Sequence, residues 1–89
     1  MGVRSQSKRI VPLSEYIEEA VRRAVVSCES DGCTAIISQL PGCITYGDTP
    51  EEALQNLRDA VEAWVLTAIR FGDPVPDLGE VRLAYTAQK

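Results

Sequence analysis

The chain has 89 residues, of which 45% are hydrophobic and 25% charged. This length allows one compact core and one domain, and the composition excludes a wholly disordered or fibrous chain. No apolar run approaches the roughly 20 residues that span a bilayer, and the apolar stretch behind the basic N-terminal residues is too short for a signal-peptide core. We therefore expect a cytoplasmic protein that makes no contact with membranes.

The net charge of −4 is unevenly distributed along the chain. Residues 1–13 carry three basic side chains and no acidic one, so residues 14–89 hold six basic and thirteen acidic side chains, a net charge of −7. A body this acidic repels phosphate backbones, and we do not expect it to bind nucleic acid. It would attract a basic partner, although acidity can also serve solubility alone.

Cysteine and histidine content bears on chemistry and compartment. The chain has no histidine, which removes the commonest general base and the usual partner of a Ser or Cys nucleophile. Its three cysteines, Cys28, Cys33 and Cys43, form no C-x-x-C pair and are one short of a Cys₄ zinc site. We expect reduced thiols, no metal, no cofactor and no enzymatic activity.

The N-terminal region is predicted to contain a tail and a short helix. Residues 1–13 are small, polar and basic, which is typical of a flexible tail, and residues 14–89 are predicted to form the single domain. Ser14 is a plausible N-cap, and apolar residues at helical spacing behind it predict a helix over about Glu15–Arg23.

Three short strands are predicted next. The β-branched Val25 and Val26, followed by Cys28, precede the turn sequence Ser30-Asp31-Gly32, and a second strand follows over 34–37. Pro41-Gly42 interrupts the pattern before a third strand at 44–46. Because the three strands are close in sequence, we predict an antiparallel meander.

The clearest local signal is the start of a long helix. Thr49 is a predicted N-cap, Pro50 occupies the first helical position and Glu52 completes a capping box. The helix is expected to end near Phe71, because Gly72 follows it. An additional C-terminal strand is predicted over 81–85, which gives an α+β fold.

The second half of this helix is apolar on nearly every face. One small sheet covers one face only, so we predict that a second face is buried against another copy, in a dimer or a dimer of dimers. The alternative is that the C-terminal segment folds back over it. The residues predicted at the oligomer interface are Trp64, Val65, Ala68, Ile69 and Phe71.

Acidic residues cluster around the predicted strand ends and the helix start. Glu29, Asp31, Asp48, Glu51 and Glu52 are numerous enough to suggest a metal site for phosphodiester chemistry. Two turns and a helix cap explain three of them without any such function, and we favour that explanation.

The run from Asp31 to Ala53 resembles the signature of HicB-like antitoxins. In that family a strand ends in Leu-Pro-Gly, as at residues 40–42, and a short strand ends in Gly-Asp-Thr, as at 47–49. A helix that starts with Glu-Glu-Ala follows, as at 51–53, and a Gly-x-x-x-Pro segment lies beyond it, as at 72–76. The resemblance covers roughly residues 25–77.

The resemblance implies a partial ribonuclease-H-like fold and a HicA-like partner, a small basic toxin that cleaves messenger RNA. Only about ten residues follow Leu78, too few for a C-terminal DNA-binding module, so we expect a short form of the family. A structural oligomerisation module and a vestigial metal-dependent nuclease remain as alternatives. From charge and position, the residues predicted to hold a toxin are Glu29, Asp31, Asp48 and Glu51.

Overall fold

The computed structural model describes residues 8–84 and confirms the predicted α+β class. Two helices and five short strands form one layered unit, in which a three-stranded antiparallel sheet packs on the long second helix. In chain order the elements are β1 (Arg9–Val11), α1 (Leu13–Arg22), β2 (Val25–Glu29), β3 (Gly32–Ile36), β4 (Ile44–Gly47), α2 (Pro50–Phe71) and β5 (Val81–Leu83).

Helix α2 begins and ends where its sequence predicts. The Thr49 hydroxyl accepts a hydrogen bond of 3.1 Å from the N–H of Glu52, and Pro50 is the first helical residue. In a capping box the Glu52 carboxylate would accept a hydrogen bond from the N–H of the cap residue, Thr49. Here it accepts a bond of 2.6 Å from the N–H of the preceding residue, Asp48. Gly72 ends the helix with a left-handed φ of 74°, which costs glycine little.

The meander β2-β3-β4 has one covered face and one open face. Val25 lies opposite Ile36, and Ile36 lies opposite Ile44, so these three side chains share a face. The alternate residues Cys33 and Ala35 are buried on the other face, against α2. The period of two along each strand therefore separates a core side from an uncovered side.

The prediction of a flexible tail over residues 1–13 is wrong for its last residues, which the structure places in a strand and at the start of α1. Arg9–Val11 form β1, which pairs in parallel with β5 in a second, two-stranded sheet. Helix α1 begins at Leu13 with Pro12 at the cap position, and Ser14, the predicted cap, lies inside the helix. Residues 1–7 of the predicted tail and Tyr85 of the predicted last strand lie outside the described residues.

The second face of α2 is covered from within the same chain. Helix α1 packs against α2, and two of the residues predicted at an oligomer interface, Val65 and Ala68, are buried in the monomer's core. The prediction is therefore wrong for these two. Of the C-terminal segment in the alternative, Leu78 is buried in the same core as Val61 and Val65 of α2, whereas β5 packs on α1 and β1 and makes no contact with α2 in the described chain.

The prediction of three reduced thiols is also wrong. Cys28 and Cys33 form a disulfide with an S–S distance of 2.07 Å, because the register of β2 and β3 places them directly opposite each other. Cys43 is a free thiol in the core, and burial raises its pKa above the usual value of 9.0. Within residues 8–84, no helix has the length and apolarity to cross a membrane.

Candidate functional site

A polar concavity lies at one end of the open sheet face. It has a volume of about 470 Å³ and is bounded by the β2–β3 hairpin, the end of β4 and the first turns of α2. We call it the hairpin groove. The residues that line it are Ser27, Glu29, Asp31, Gly32, Cys33, Thr34, Tyr46, Gly47, Asp48, Glu52 and Asn56.

Sheet topology explains why acidic side chains meet in this groove. Glu29 ends β2, Asp31 lies in the β2–β3 turn, and Asp48 follows the last residue of β4. In an antiparallel meander the β2–β3 turn and the far end of β4 lie at the same edge of the sheet. Residues from two separate connections are thereby brought together without any long-range sequence signal.

The structure brings together three of the four residues predicted to contact a partner. Glu29, Asp31 and Asp48 are exposed in the hairpin groove, and none of them forms an ion pair with another described residue. Glu51 is exposed on α2 but does not line the groove. Glu52 does line it, although its carboxylate also caps the helix start.

The charge of the groove has a single sign. Among the described residues, its lining includes four carboxylates and no lysine or arginine. In the part of the chain that the structure describes, there is no group of three or more His, Cys, Asp or Glu side chains that could hold a metal ion. The groove is thus suited to cationic groups that approach from outside.

Sequence reasoning missed the uncharged residues of the groove. The Tyr46 side chain is 69% exposed beside the carboxylates. The Asn56 side-chain amide donates a bond of 2.6 Å to the Tyr46 carbonyl and so fixes the end of β4 to α2. Ser27 and Thr34 lie opposite each other on the open face. Strand alternation, which places Tyr46 and Ile44 on the face opposite Thr45, was the signal that could have found Tyr46.

An apolar row lies next to the groove on the same face of the sheet. Val25 is 62% exposed, and Ile36 and Ile44 are each 44% exposed, although β-branched residues of this size are usually buried. These three residues, which we call the open-face row, cross all three strands in register. The open face therefore changes from apolar to hydroxyl-bearing to acidic along the strand direction.

A second groove of about 540 Å³ separates the start of β4 from the second half of α2. Trp64 lines it, and its indole N–H donates a bond of 3.1 Å to the carbonyl of Pro41. Ile69 and Phe71, the two exposed residues of the predicted oligomer interface, do not line this groove. The five residues predicted to form one interface are thus divided between the core, the second groove and the surface.

The chain matches the family model described as UPF0150-like over residues 15–76. This range runs from α1 through α2 to the loop that follows, and it includes the hairpin groove. The chain therefore belongs to the UPF0150-like family.

Individual relatives agree with this assignment. A UPF0150 protein of Synechocystis is 42% identical over 45 residues, which are 51% of this chain and 57% of that protein. A UPF0150 protein of Thermoplasma acidophilum is 30% identical over 53 residues, which are 58% of this chain and 77% of the relative. The match thus spans less than two thirds of the Synechocystis protein's length.

A solved structure has the same fold. The crystal structure of TTHA0281 from Thermus thermophilus superposes with a TM-score of 0.74 at 34% sequence identity. The superposition covers 84% of this chain and 95% of that chain. The arrangement of two helices and the meander is therefore found in a second protein.

Proposed function

We propose that this UPF0150-like protein acts as a HicB-like antitoxin, which binds a small basic RNA-cleaving toxin and blocks it by protein–protein contact. In this proposal it acts by binding and catalyses no reaction. The observation that carries the proposal is the hairpin groove, where Glu29, Asp31 and Asp48 are exposed and form no ion pair with any cation of residues 8–84. Carboxylates left unpaired on a surface are available to a partner's lysine or arginine.

The groove offers three kinds of contact to a basic side chain. Its carboxylates accept charge-assisted hydrogen bonds, and an arginine can bind one of them through two parallel bonds. The exposed ring of Tyr46 offers a face for a cation–π contact beside them. A partner that presents arginines would therefore be held both by charge and by geometry.

The open-face row supports a protein partner over a free cation. Val25, Ile36 and Ile44 present apolar surface next to the acidic groove. Protein interfaces combine an apolar centre with a polar, charged rim, and electrostatic complementarity mainly raises the association rate and the specificity. The row would supply the buried area and the groove would select a basic partner.

The test is co-expression of this chain with the product of each adjacent reading frame, one of which we expect to be a small basic protein. We expect that protein to arrest growth alone, and we expect this chain to restore growth and to co-purify with it. The groove variant combines Glu29→Gln, Asp31→Asn and Asp48→Asn, and it should lose rescue and weaken the complex at least about tenfold, since each lost charge pair is worth up to about 1 kcal/mol.

A matched control variant also loses three negative charges, but at positions outside the groove. The variant Glu15→Gln, Asp59→Asn, Glu80→Gln changes exposed carboxylates outside the groove and should rescue growth like the wild type. Equal loss in both variants would mean that only net charge matters and would contradict a role for the groove. A stable oligomer that neither rescues nor binds would favour the structural module, and RNA cleavage by the purified chain would favour the nuclease.

A further inference from the structure

The side of α2 that points away from the core has an apolar centre between opposite charges. Leu66 is 50% exposed and lies at this centre. Ala63 and Ile69 lie three residues before and after it, and Glu62 and Arg70 lie four residues before and after it. Residues at these spacings share one helix face. We call these five residues, all of them exposed, the α2 outer stripe.

The two charges of the α2 outer stripe lack partners within the described chain. Among the lysine and arginine side chains of residues 8–84, every one except Arg70 takes part in an ion pair. Glu62 also forms no ion pair with any of these described side chains. The two cannot pair with each other, because eight residues of α-helix separate them by about 12 Å along the axis.

The stripe is complementary to itself when its direction is reversed. If two copies of α2 pack antiparallel about a two-fold axis at Leu66, Glu62 lies opposite Arg70 of the partner subunit. Ala63 then lies opposite Ile69 of the partner subunit, so a small residue accommodates a large one. Symmetry repeats each contact, which gives two ion pairs and two apolar pairs around a central leucine contact.

Asp59 lies on the same side of the helix as the α2 outer stripe. Asp59 would face residue 73 of a partner helix, which is also an aspartate in this sequence. Helix α2 ends at Phe71, however, and the left-handed φ of Gly72 turns the chain away. Asp73 therefore does not continue the helix, and it lines the second groove together with Ala63.

We propose that the α2 outer stripe is the contact surface between two copies of this chain, packed as an antiparallel two-fold helix pair. The charge pattern favours a second copy as the occupant, because Glu62 and Arg70 satisfy each other only across such an axis. The hairpin groove lies at the opposite end of α2, so the dimer leaves both grooves accessible. The proposal does not depend on what the hairpin groove binds.

Charge reversal tests this arrangement directly. Wild-type protein should show a monomer–dimer equilibrium in sedimentation equilibrium, sampled over about 5–500 µM because interfaces below about 1,200 Å² are often weak. Glu62→Arg and Arg70→Glu should each weaken dimerisation about tenfold or more, because symmetry turns two attractive pairs into two repulsive ones. The double variant, Glu62→Arg with Arg70→Glu, should restore the dimer.

Two further variants separate this interface from general effects. Leu66→Gln should weaken the dimer without changing charge, and Glu80→Arg should leave the dimer intact although it changes the net charge by the same amount as Glu62→Arg. All four substituted side chains are exposed, and far-UV circular dichroism checks the fold. Three results would each overturn the proposal: a wild type that is monomeric throughout the range, a dimer that Leu66→Gln does not weaken, or a double variant, Glu62→Arg with Arg70→Glu, that stays monomeric.

Discussion

The hydroxyl of Tyr16 donates a hydrogen bond of 2.6 Å to the main-chain carbonyl of Pro76, which lies 60 residues further along the chain. Tyr16 is fully buried in α1, and Pro76 belongs to the loop between α2 and β5. This contact fixes the C-terminal segment onto the N-terminal helix, so that β5 can pair with β1. The α1–β1–β5 layer thus depends on a polar contact inside an apolar core.

Removal of the Tyr16 hydroxyl should show how much its hydrogen bond to Pro76 contributes to the free energy of unfolding. Tyr16→Phe retains the ring and leaves the Pro76 carbonyl without this donor, which should cost about 1–2 kcal/mol in the free energy of unfolding. The measurement is the urea midpoint at an unchanged slope. Tyr46→Phe is the matched control, because the Tyr46 side chain is mostly exposed, and it should change stability by less than about 0.5 kcal/mol. Equal effects at the two positions would contradict the assignment.

Gly47 should tolerate no side chain, although its φ is not positive. A Cβ at this position would lie 2.8 Å from the main-chain carbon of Glu52 and 2.9 Å from the Cα of Ala53, because β4 packs closely against the first turn of α2. We expect Gly47→Ala to destabilise the protein by about 2–3 kcal/mol, since neither backbone can yield easily.

Gly42 provides the control for this substitution. Its φ is 82°, and a Cβ there would meet no atom within 4 Å, so Gly42→Ala would introduce only backbone strain of about 1–2 kcal/mol. Thermal unfolding of both variants compares the two costs. A larger loss for Gly42→Ala than for Gly47→Ala would show that the packing of β4 on α2 is looser than described.

Local signals predicted α2 and the meander, whereas contacts between distant segments could not be predicted. The cap at Thr49 and the glycine at 72 act on neighbouring residues, so the sequence contains the whole signal for them. Strand β1 has three residues and pairs with β5 about 70 residues away, so no local pattern distinguishes it from a tail. The packing of α1 on α2, with its Arg58–Glu18 ion pair, is equally non-local.

The acidic groove was partly predictable for the same reason. Turn signals identify Asp31 and Asp48 locally, Glu29 ends the strand before the first turn, and antiparallel pairing brings the three together. Tyr46 and Asn56 were missed because their role depends on how β4 lies against α2. The Cys28–Cys33 bond was missed because an odd number of cysteines favoured reduced thiols, although the predicted hairpin already places the two residues near each other.

The three cysteines should differ in their reactivity toward an alkylating reagent. In native protein without reductant we expect no modification at neutral pH, because Cys28 and Cys33 are bonded and burial raises the pKa of the Cys43 thiol. Unfolding without reductant should expose one thiol, and unfolding with reductant should expose three. Peptide mass spectrometry distinguishes these outcomes, and three reactive thiols without reductant would contradict the disulfide.

The double variant Cys28→Ser, Cys33→Ser measures what the disulfide contributes to stability. The bonded residues are only five positions apart, so the entropy model gives a contribution of about 2 kcal/mol. Reductant should lower the melting temperature of the wild type and leave that of the double variant unchanged. A wild type insensitive to reductant would show that β2 and β3 pair equally well without the bond.

Acid should destabilise the protein through carboxylates that are paired in the folded state. Hydrogen bonds from Arg22 and then Arg23 lower the pKa of Glu19 below its usual value of 4.5. Hydrogen bonds from Arg82 likewise lower the pKa of Asp77 below 3.8. A group whose pKa is lower in the folded state binds fewer protons there than in the unfolded chain. Its stabilisation is therefore complete above the unfolded pKa and is lost as the pH falls through the folded value.

We expect the free energy of unfolding to be steady above about pH 5.5 and to fall below about pH 4.5, where the unfolded carboxylates begin to bind protons. Glu19→Gln removes one of these groups, so it should lower stability at pH 7 by less than about 1 kcal/mol and flatten the acid decline. Glu80→Gln is the control for the loss of one negative charge, because the Glu80 carboxylate forms no ion pair in the described chain. Urea titrations between pH 3 and 8 measure these profiles. If the free energy of unfolding fell with acid in parallel for Glu19→Gln and the wild type, the ion pairs of Glu19 with Arg22 and Arg23 would not persist in solution.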